Sequence, residues 1–292
     1  MKIALYARNV KDNHPDYVKT LSTKLNKENI QLTIFDPYYS FLKSNFGFNL
    51  DIETFKSYEC VKNKVDCIIS LGGDGTILET LDLVKDSGIP VLGVNTGRLG
   101  FLATVYKEDF GKAIDFLLAK KYKLDKRAII ELIQPKGFFG EINWAVNELT
   151  VLKKDSSAMI NIDASVNGAF LNSYWADGLI ISTPTGSTAY SLSCGGPIIV
   201  PDADNFVITP IAPHNLNVRP IIISSNSEIT LKVHGRSPDY LLSLDSKHTT
   251  ISNSFEIKLK KADFTFNLIS LDSQDFFKTL RDKLMWGIDK RN

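Results

Sequence analysis

The sequence is poor in cysteine: 292 residues contain only Cys60, Cys67 and Cys194. An odd number cannot pair completely and the spacing matches no metal-ligand pattern, so neither a disulfide scaffold nor a zinc module is supported. That usage fits a reducing cytoplasm. The four histidines are scattered, none at a metalloprotease spacing. Excess charge is missing too. Lys and Arg total 34 against 33 Asp and Glu, a formal net charge of +1, which gives no electrostatic case for nucleic acid or acidic membrane as partner. No apolar run approaches the length of a membrane span. The opening Met1-Lys2-Ile3-Ala4-Leu5-Tyr6-Ala7 is interrupted by Arg8, too soon for a secretory signal.

What is present divides into two textures. Up to about residue 124, short apolar runs alternate with helix-like stretches. Strands are expected at Lys2 to Ala7, Ile30 to Phe35, Val65 to Leu71 and Ile89 to Val94. Helices are expected at Asp16 to Asn26, with Tyr17, Leu21 and Leu25 on one face, at Ile77 to Lys85 and at Asp109 to Leu118. This alternation implies an open, mostly parallel α/β sheet with helices on its faces. The aromatic stretch Asp36 to Tyr58 reads as a long connection. Beyond Asp125, runs with β-propensity follow one another without long helices: Ala128 to Ile133, Ala145 to Leu152, Met159 to Val166, Glu228 to Val233, Tyr240 to Leu244, Thr249 to Ser254 and Phe255 to Lys260. Asn167-Gly168 between two such runs is a hairpin signal. A β-rich domain over 125–273 is therefore expected. The amphipathic tail Gln274 to Trp286, with Phe277, Leu280 and Leu284 at helical spacing, is expected to return to the first domain (1–124 plus about 274–292).

Two small-residue segments carry the chemistry. Leu71-Gly72-Gly73-Asp74-Gly75-Thr76 follows the apolar run Cys67-Ile68-Ile69-Ser70, at the carboxyl end of a strand, where open α/β sheets bind ligands. Glycines there allow close backbone approach to phosphate, so Gly72, Gly73, Gly75 and Thr76 are candidate phosphate-donor contacts, with Thr76 able to cap the next helix. The turn is neither a Walker A loop nor a complete dinucleotide fingerprint. A carboxylate at Asp74 would repel phosphate unless it met a hydroxyl proton or a metal ion, and both belong to kinase chemistry. The second segment runs from Asp177-Gly178 through Ser182-Thr183-Pro184-Thr185-Gly186-Ser187-Thr188-Ala189-Tyr190.

These residues resemble a known family, the bacterial NAD kinases, which phosphorylate the adenosine 2′-hydroxyl of NAD to make NADP. The resemblance also takes in Asn95-Thr96-Gly97-Arg98-Leu99-Gly100-Phe101-Leu102, Asn147-Glu148, Ser191-Leu192-Ser193, Gly195-Gly196-Pro197, Pro213-His214 and Arg219-Pro220. It spans essentially the whole chain. The Gly-Gly-Asp-Gly-Thr turn is moderately specific, because lipid kinases and phosphofructokinases carry related turns; the Pro-Thr-Gly-Ser-Thr-Ala-Tyr segment is highly specific. The resemblance implies that Asp74 accepts the 2′-hydroxyl proton, with the Gly75 backbone beside it. It implies that Asn147 and Glu148 hold ribose hydroxyls and nucleotide, and that Asp177 lies near the nicotinamide half. Phe101, Thr188, Ala189, Tyr190, Ser191, Leu192 and Ser193 would line the NAD pocket, with Lys247 as a further contact. NAD and ATP or another phosphoryl donor would be the substrates, a divalent metal (Mg) the cofactor, and a homodimer or homotetramer the assembly.

The residues support these roles by themselves. A 2′-hydroxyl is a poor nucleophile, and a positioned carboxylate accepting its proton contributes roughly 10²- to 10⁴-fold. Neighbours on a strand point to opposite faces, so Asn147 and Glu148 can both meet a ligand only if the strand ends there. Two other functions compete. A lipid or sugar-phosphate kinase would share the glycine-aspartate turn but would not require Asn147-Glu148 or Thr188-Ala189-Tyr190. A dinucleotide-binding regulator would gain nothing from a carboxylate at Asp74.

Two positions depart from the family pattern: Asn215 replaces a common Ser, and Trp175 stands where relatives often carry a basic residue. The oxidised nicotinamide ring is cationic and the reduced one neutral. An indole face favours the cation by roughly 0.5 to 2 kcal/mol, and Asp177 adds attraction. Trp175→Ala is therefore expected to shrink the preference for NAD⁺ over NADH by about three- to thirtyfold, read as kcat/KM for both substrates. Equal losses for the two would reduce Trp175 to packing.

Overall fold

In the computed structural model, residues 1–8, 15–97, 100–154, 159–271 and 275–287 are described. They form two compact units, Met1–Lys126 with Phe266–Asn292, and Arg127–Thr265.

The first unit is built on an eight-stranded sheet. Its order is Glu53–Phe55, Gln31–Phe35, Lys2–Ala7, Cys67–Leu71, Val91–Asn95, Phe266–Ser270 and Lys123–Arg127, with Val105–Tyr106 also pairing to Val91–Asn95. The central strands Cys67–Leu71 and Val91–Asn95 are buried at every residue, as parallel strands covered on both faces must be. Cys67–Leu71 pairs in parallel with Lys2–Ala7 on one side and with Val91–Asn95 on the other. Helix Pro15–Lys27 buries Val18, Leu21 and Leu25, and helix Phe110–Leu118 buries Phe110, Ala113, Ile114 and Leu117. Both faces contribute to one core with Ile3, Leu5, Ile69 and Val94.

Three expectations for this unit need correction. Asp36 to Tyr58 is not a bare connection: helix Asp36–Phe46 opens with Pro37 in its first turn and stops at Gly47 in the left-handed region (φ 61°). Tyr38 and Leu42, four apart, are its buried face, a periodicity hidden by surrounding aromatics. Strand Glu53–Phe55 then extends the sheet. The helix expected at Ile77 to Lys85 starts earlier and breaks, as Asp74–Glu79 and Leu81–Val84, and the Thr80 hydroxyl donates to Ile77 O (2.6 Å) at the break. Finally, Phe266–Ser270 pairs with Val91–Asn95 inside the first unit's sheet, ahead of the return expected near residue 274. The tail helix is Phe276–Leu284; Gln274 lies outside the described residues. The helix buries Leu280, while Phe277 is 54% exposed and Phe276 meets Phe101 instead.

The second unit is a sandwich of two six-stranded sheets. One runs Ile221–Ser224, Asn205–Ile211, Gly178–Ser182, Glu148–Lys153, Asp239–Leu244, Lys247–Ser252. The other runs Ala169–Ala176, Ile160–Val166, Ile229–His234, Glu256–Lys261, Ile130–Gln134, Trp144–Ala145. Pairing is antiparallel throughout. Alternate residues point inward, for example Ile160, Ile162 and Ala164 against Leu231 and Val233. The hairpin turn at Asn167-Gly168 is present, with φ 51° and 80° bringing Val166 opposite Ala169.

Candidate active site

The glycine turn sits at the carboxyl end of Cys67–Leu71. Gly72 has φ 152°, and a Cβ there would press on the Thr76 side chain, so the turn needs glycine at that point. Gly73 is the N-cap residue and the helix begins at Asp74 itself. Thr76 is therefore inside the first helical turn and buried rather than capping it. The N–H of Gly72 bonds Val94 O (2.9 Å) and that of Thr76 bonds Gly73 O (3.0 Å). Two of the four expected phosphate contacts thus spend their amides on the turn, while Gly73 and Gly75 stand exposed.

Asp74 does not point away from the protein. Its Oδ2 accepts the N–H of Phe101 (2.7 Å), and its Oδ1 accepts those of Leu102 (3.0 Å) and Ala103 (2.9 Å). A carboxylate has about four acceptor positions, so one remains, on Oδ2. Phe101 contributes its amide here, while its ring meets Phe276 (6.4 Å between centroids) and lies under the Lys283 ammonium (5.0 Å). Of the neighbouring motif, Arg98 and Leu99 lie outside the described residues. Arg8, which sequence reasoning passed over, stands by Gly75 with its guanidinium clamped on both oxygens of Glu79; Tyr6 also donates to Glu79 (2.9 Å).

The second unit repeats the device. Asp245 occupies the two-residue turn between Asp239–Leu244 and Lys247–Ser252, in the left-handed region (φ 51°). Its Oδ2 accepts the N–H of Val146 (2.8 Å), and its Oδ1 those of Asn147 (2.8 Å) and Glu148 (3.1 Å). Its own N–H returns to Glu148 O (3.0 Å). Sequence reasoning singled out Lys247, two residues on, and passed over Asp245. A turn aspartate is so common that nothing local marks one serving a segment about a hundred residues away. The seat ends the ladder at Glu148, so Asn147 lies just outside strand Glu148–Lys153.

The loop after strand Gly178–Ser182 is braced on the same segment. Thr183 donates its N–H to Asn147 O (2.9 Å) and its hydroxyl to Val146 O (2.6 Å). Ser187 donates to Pro184 O (2.6 Å), and buried Arg127 donates to the Thr185 hydroxyl (3.2 Å). Among the expected pocket residues, Thr188, Ala189 and Leu192 are half-buried, and Tyr190 and Ser193 are exposed. Ser191 is fully buried with its hydroxyl against Thr209 (2.8 Å), a brace of the fold. Lys247 is half-buried beside Asp245. Asp177 forms an ion pair with Lys153 (2.7 Å), which mutes its attraction for a cationic ring. Trp175 is 54% exposed and its ring stacks near His214 (4.3 Å between centroids, 35° tilt), so one face of the indole is already covered.

Glu148 is one of four residues in the unit with a buried, unpartnered side-chain atom among the described residues. Its Oε2 is buried with no hydrogen-bond partner among the described residues. Burial, and then the Asp245 charge, push its pKa up to about 8 from an ordinary 4.5. Desolvation also raises Asp245 to about 6, against the pull of its three backbone donors and Lys247. An acid whose folded pKa is raised binds more protons folded than unfolded, so stability falls as pH rises through that window. Asp245 acts below about 6, leaving Glu148 to act up to about 8. Between pH 6 and 8 the thermal midpoint of the ligand-free protein is expected to fall, and Glu148→Gln is expected to flatten that fall. An unchanged slope in the variant would place the ionisation elsewhere.

With this geometry in view, residues 10–122 match the ATP-NAD kinase N-terminal domain and residues 146–271 the ATP-NAD kinase C-terminal domain. The NAD kinases of Flavobacterium psychrophilum and Cytophaga hutchinsonii are 47% and 45% identical, each match covering 100% of both chains. The fold is shared with yeast NADH kinase complexed with NADH (TM-score 0.87, 24% identity, covering 100% of this chain and 89% of that one). It is also shared with an NAD kinase from Archaeoglobus fulgidus in complex with ATP (TM-score 0.75, 24% identity, covering 98% and 99%). Family domains over both units and full-length identity at this level make the chain a member of the ATP-NAD kinase family.

Proposed function

We propose that this NAD kinase phosphorylates NAD to NADP with ATP by the following division of labour. The 2′-oxygen of the adenosine ribose attacks the terminal phosphorus of the donor. The new oxygen–phosphorus bond forms as the bond from that phosphorus to the bridging oxygen breaks, and the nucleoside diphosphate leaves. Asp74 takes the hydroxyl proton on Oδ2. The observation that carries this reading is the seat of Asp74, whose three backbone donors fix the carboxylate and leave one acceptor position. The exposed Gly73 and Gly75 approach the donor phosphates.

Asn147 and Glu148, with Thr188, Ala189, Tyr190, Ser193 and Lys247, hold the nucleotide. Glu148 Oε2 supplies an acceptor, or when protonated a donor, that a ribose hydroxyl satisfies. Trp175 offers its uncovered face to the nicotinamide ring. The described residues contain no group of three His, Cys, Asp or Glu side chains that could hold a metal ion. The magnesium ion of the reaction would arrive with the donor, held by its phosphates as part of the substrate.

Self-association belongs to the same proposal. Ile221–Ser224 is an edge strand paired on one side only, with Ile222 51% exposed and nearby Leu216 85% exposed. Unpaired apolar edges invite a second copy. Sedimentation at micromolar concentration is expected to show a dimer or larger species. A monomer with full activity would remove the idea. No described helix is long and apolar enough to cross a membrane.

The test of the central assignment is direct. Purified protein with ATP, magnesium and NAD is expected to yield NADP. Asp74→Asn, nearly isosteric, is expected to keep NAD affinity while turnover falls by about two orders of magnitude or more. Near-normal turnover would show that Asp74 is not the proton acceptor.

A further inference from the structure

The seat of Asp74 is a matter of space as well as of hydrogen bonds. Gly100 immediately precedes the three donating amides and is buried. A Cβ at Gly100 would overlap Asp74 Oδ1 and lie 2.8 Å from Oδ2. The neighbours cannot yield easily. A Cβ on Gly93, in the fully buried strand Val91–Asn95, would stand 3.1 Å from both Ala103 Cα and Leu102 O. Backbone thus already packs against backbone behind the seat. Just beyond it, Val105–Tyr106 is paired into the sheet against Val94–Asn95. The carboxylate therefore fills the volume that any side chain at position 100 would claim.

We propose that Gly100 is a positioning residue for phosphoryl transfer, acting wholly through Asp74. Its missing side chain is the recess that holds the carboxylate against the amides of Phe101, Leu102 and Ala103 and aims the last Oδ2 position. The inference rests on Asp74 being the proton acceptor. It differs from a packing requirement because it concerns a single partner. The three atoms nearest to a methyl at position 100 all belong to the Asp74 carboxyl group.

The experiment is a double-mutant cycle on the full-length enzyme, with kcat and KM for NAD measured at saturating ATP. Gly100→Ala is expected to lower kcat by at least about tenfold with KM for NAD within about twofold. Gly100→Ala combined with Asp74→Asn is expected to be no slower than Asp74→Asn alone, within about twofold. A role in folding alone would multiply the two losses, and that result would overturn the proposal. Asp74→Glu provides a second reading if Gly100→Ala is too unstable to purify. Its extra methylene drives the carboxylate into the recess with the 100–103 chain unaltered, so kcat is expected to fall as in Gly100→Ala. Normal turnover in Asp74→Glu would show that the recess is not tight. Should Asp74→Asn keep its turnover, the assignment of Asp74 fails. Should Asp74→Asn lose turnover while Gly100→Ala keeps it, only the role of Gly100 fails.

Discussion

An aspartate carboxylate seated on three consecutive backbone N–H groups is the interaction on which both halves of this protein depend. Consecutive amides are left without partners only where the chain departs from helix and sheet. A carboxylate is the one side chain able to accept all of them at once. Asp74 does this for Phe101 to Ala103, and Asp245 for Val146 to Glu148. Hydrogen bonds to a charged acceptor are worth about 1.5–3 kcal/mol each. Each seat therefore turns a stretch of loop into a fixed edge.

The same device serves opposite ends in the two units because the surroundings differ. Asp74 is flanked in the chain by exposed Gly73 and Gly75 and keeps one acceptor position, the one the proposed mechanism uses. Asp245 is desolvated, its acidity weakened to a pKa of about 6, and its oxygens are spent on holding Asn147 and Glu148. Its charge in turn helps push Glu148 up to about 8. Under the proposed mechanism, carboxyl groups in different environments take different tasks: proton acceptor, brace, and ligand contact.

Much of this was legible in the residues. The α/β and β-rich textures, the hairpin at Asn167-Gly168 and the position of the glycine turn at a strand end follow from periodicity and turn chemistry. What stayed hidden has one physical character: contacts between residues far apart in the chain. Asp245 reads as a turn residue, and Gly100 as one glycine among several in its motif. Ser191 reads as part of a nucleotide loop although its hydroxyl faces Thr209 inside the sandwich. The helix Asp36–Phe46 was obscured differently, by half-buried Tyr39 and Phe41 flanking its buried Tyr38 and Leu42. Phe266–Ser270 follows the β-rich runs in sequence, and its partners Val91–Asn95 and Lys123–Arg127 place it in the first unit's sheet.

Backbone amide hydrogen exchange tests the seats most directly, residue by residue. In the unaltered protein the amides of Phe101, Leu102, Ala103, Val146, Asn147 and Glu148 are expected to exchange slowly. Asp245→Ala is expected to release Val146, Asn147 and Glu148 and to leave Phe101 to Ala103 protected; Asp74→Ala is expected to do the reverse. Protection that persists at all of these amides in both variants would contradict the account, because it would show that something other than the two carboxylates holds these segments in place.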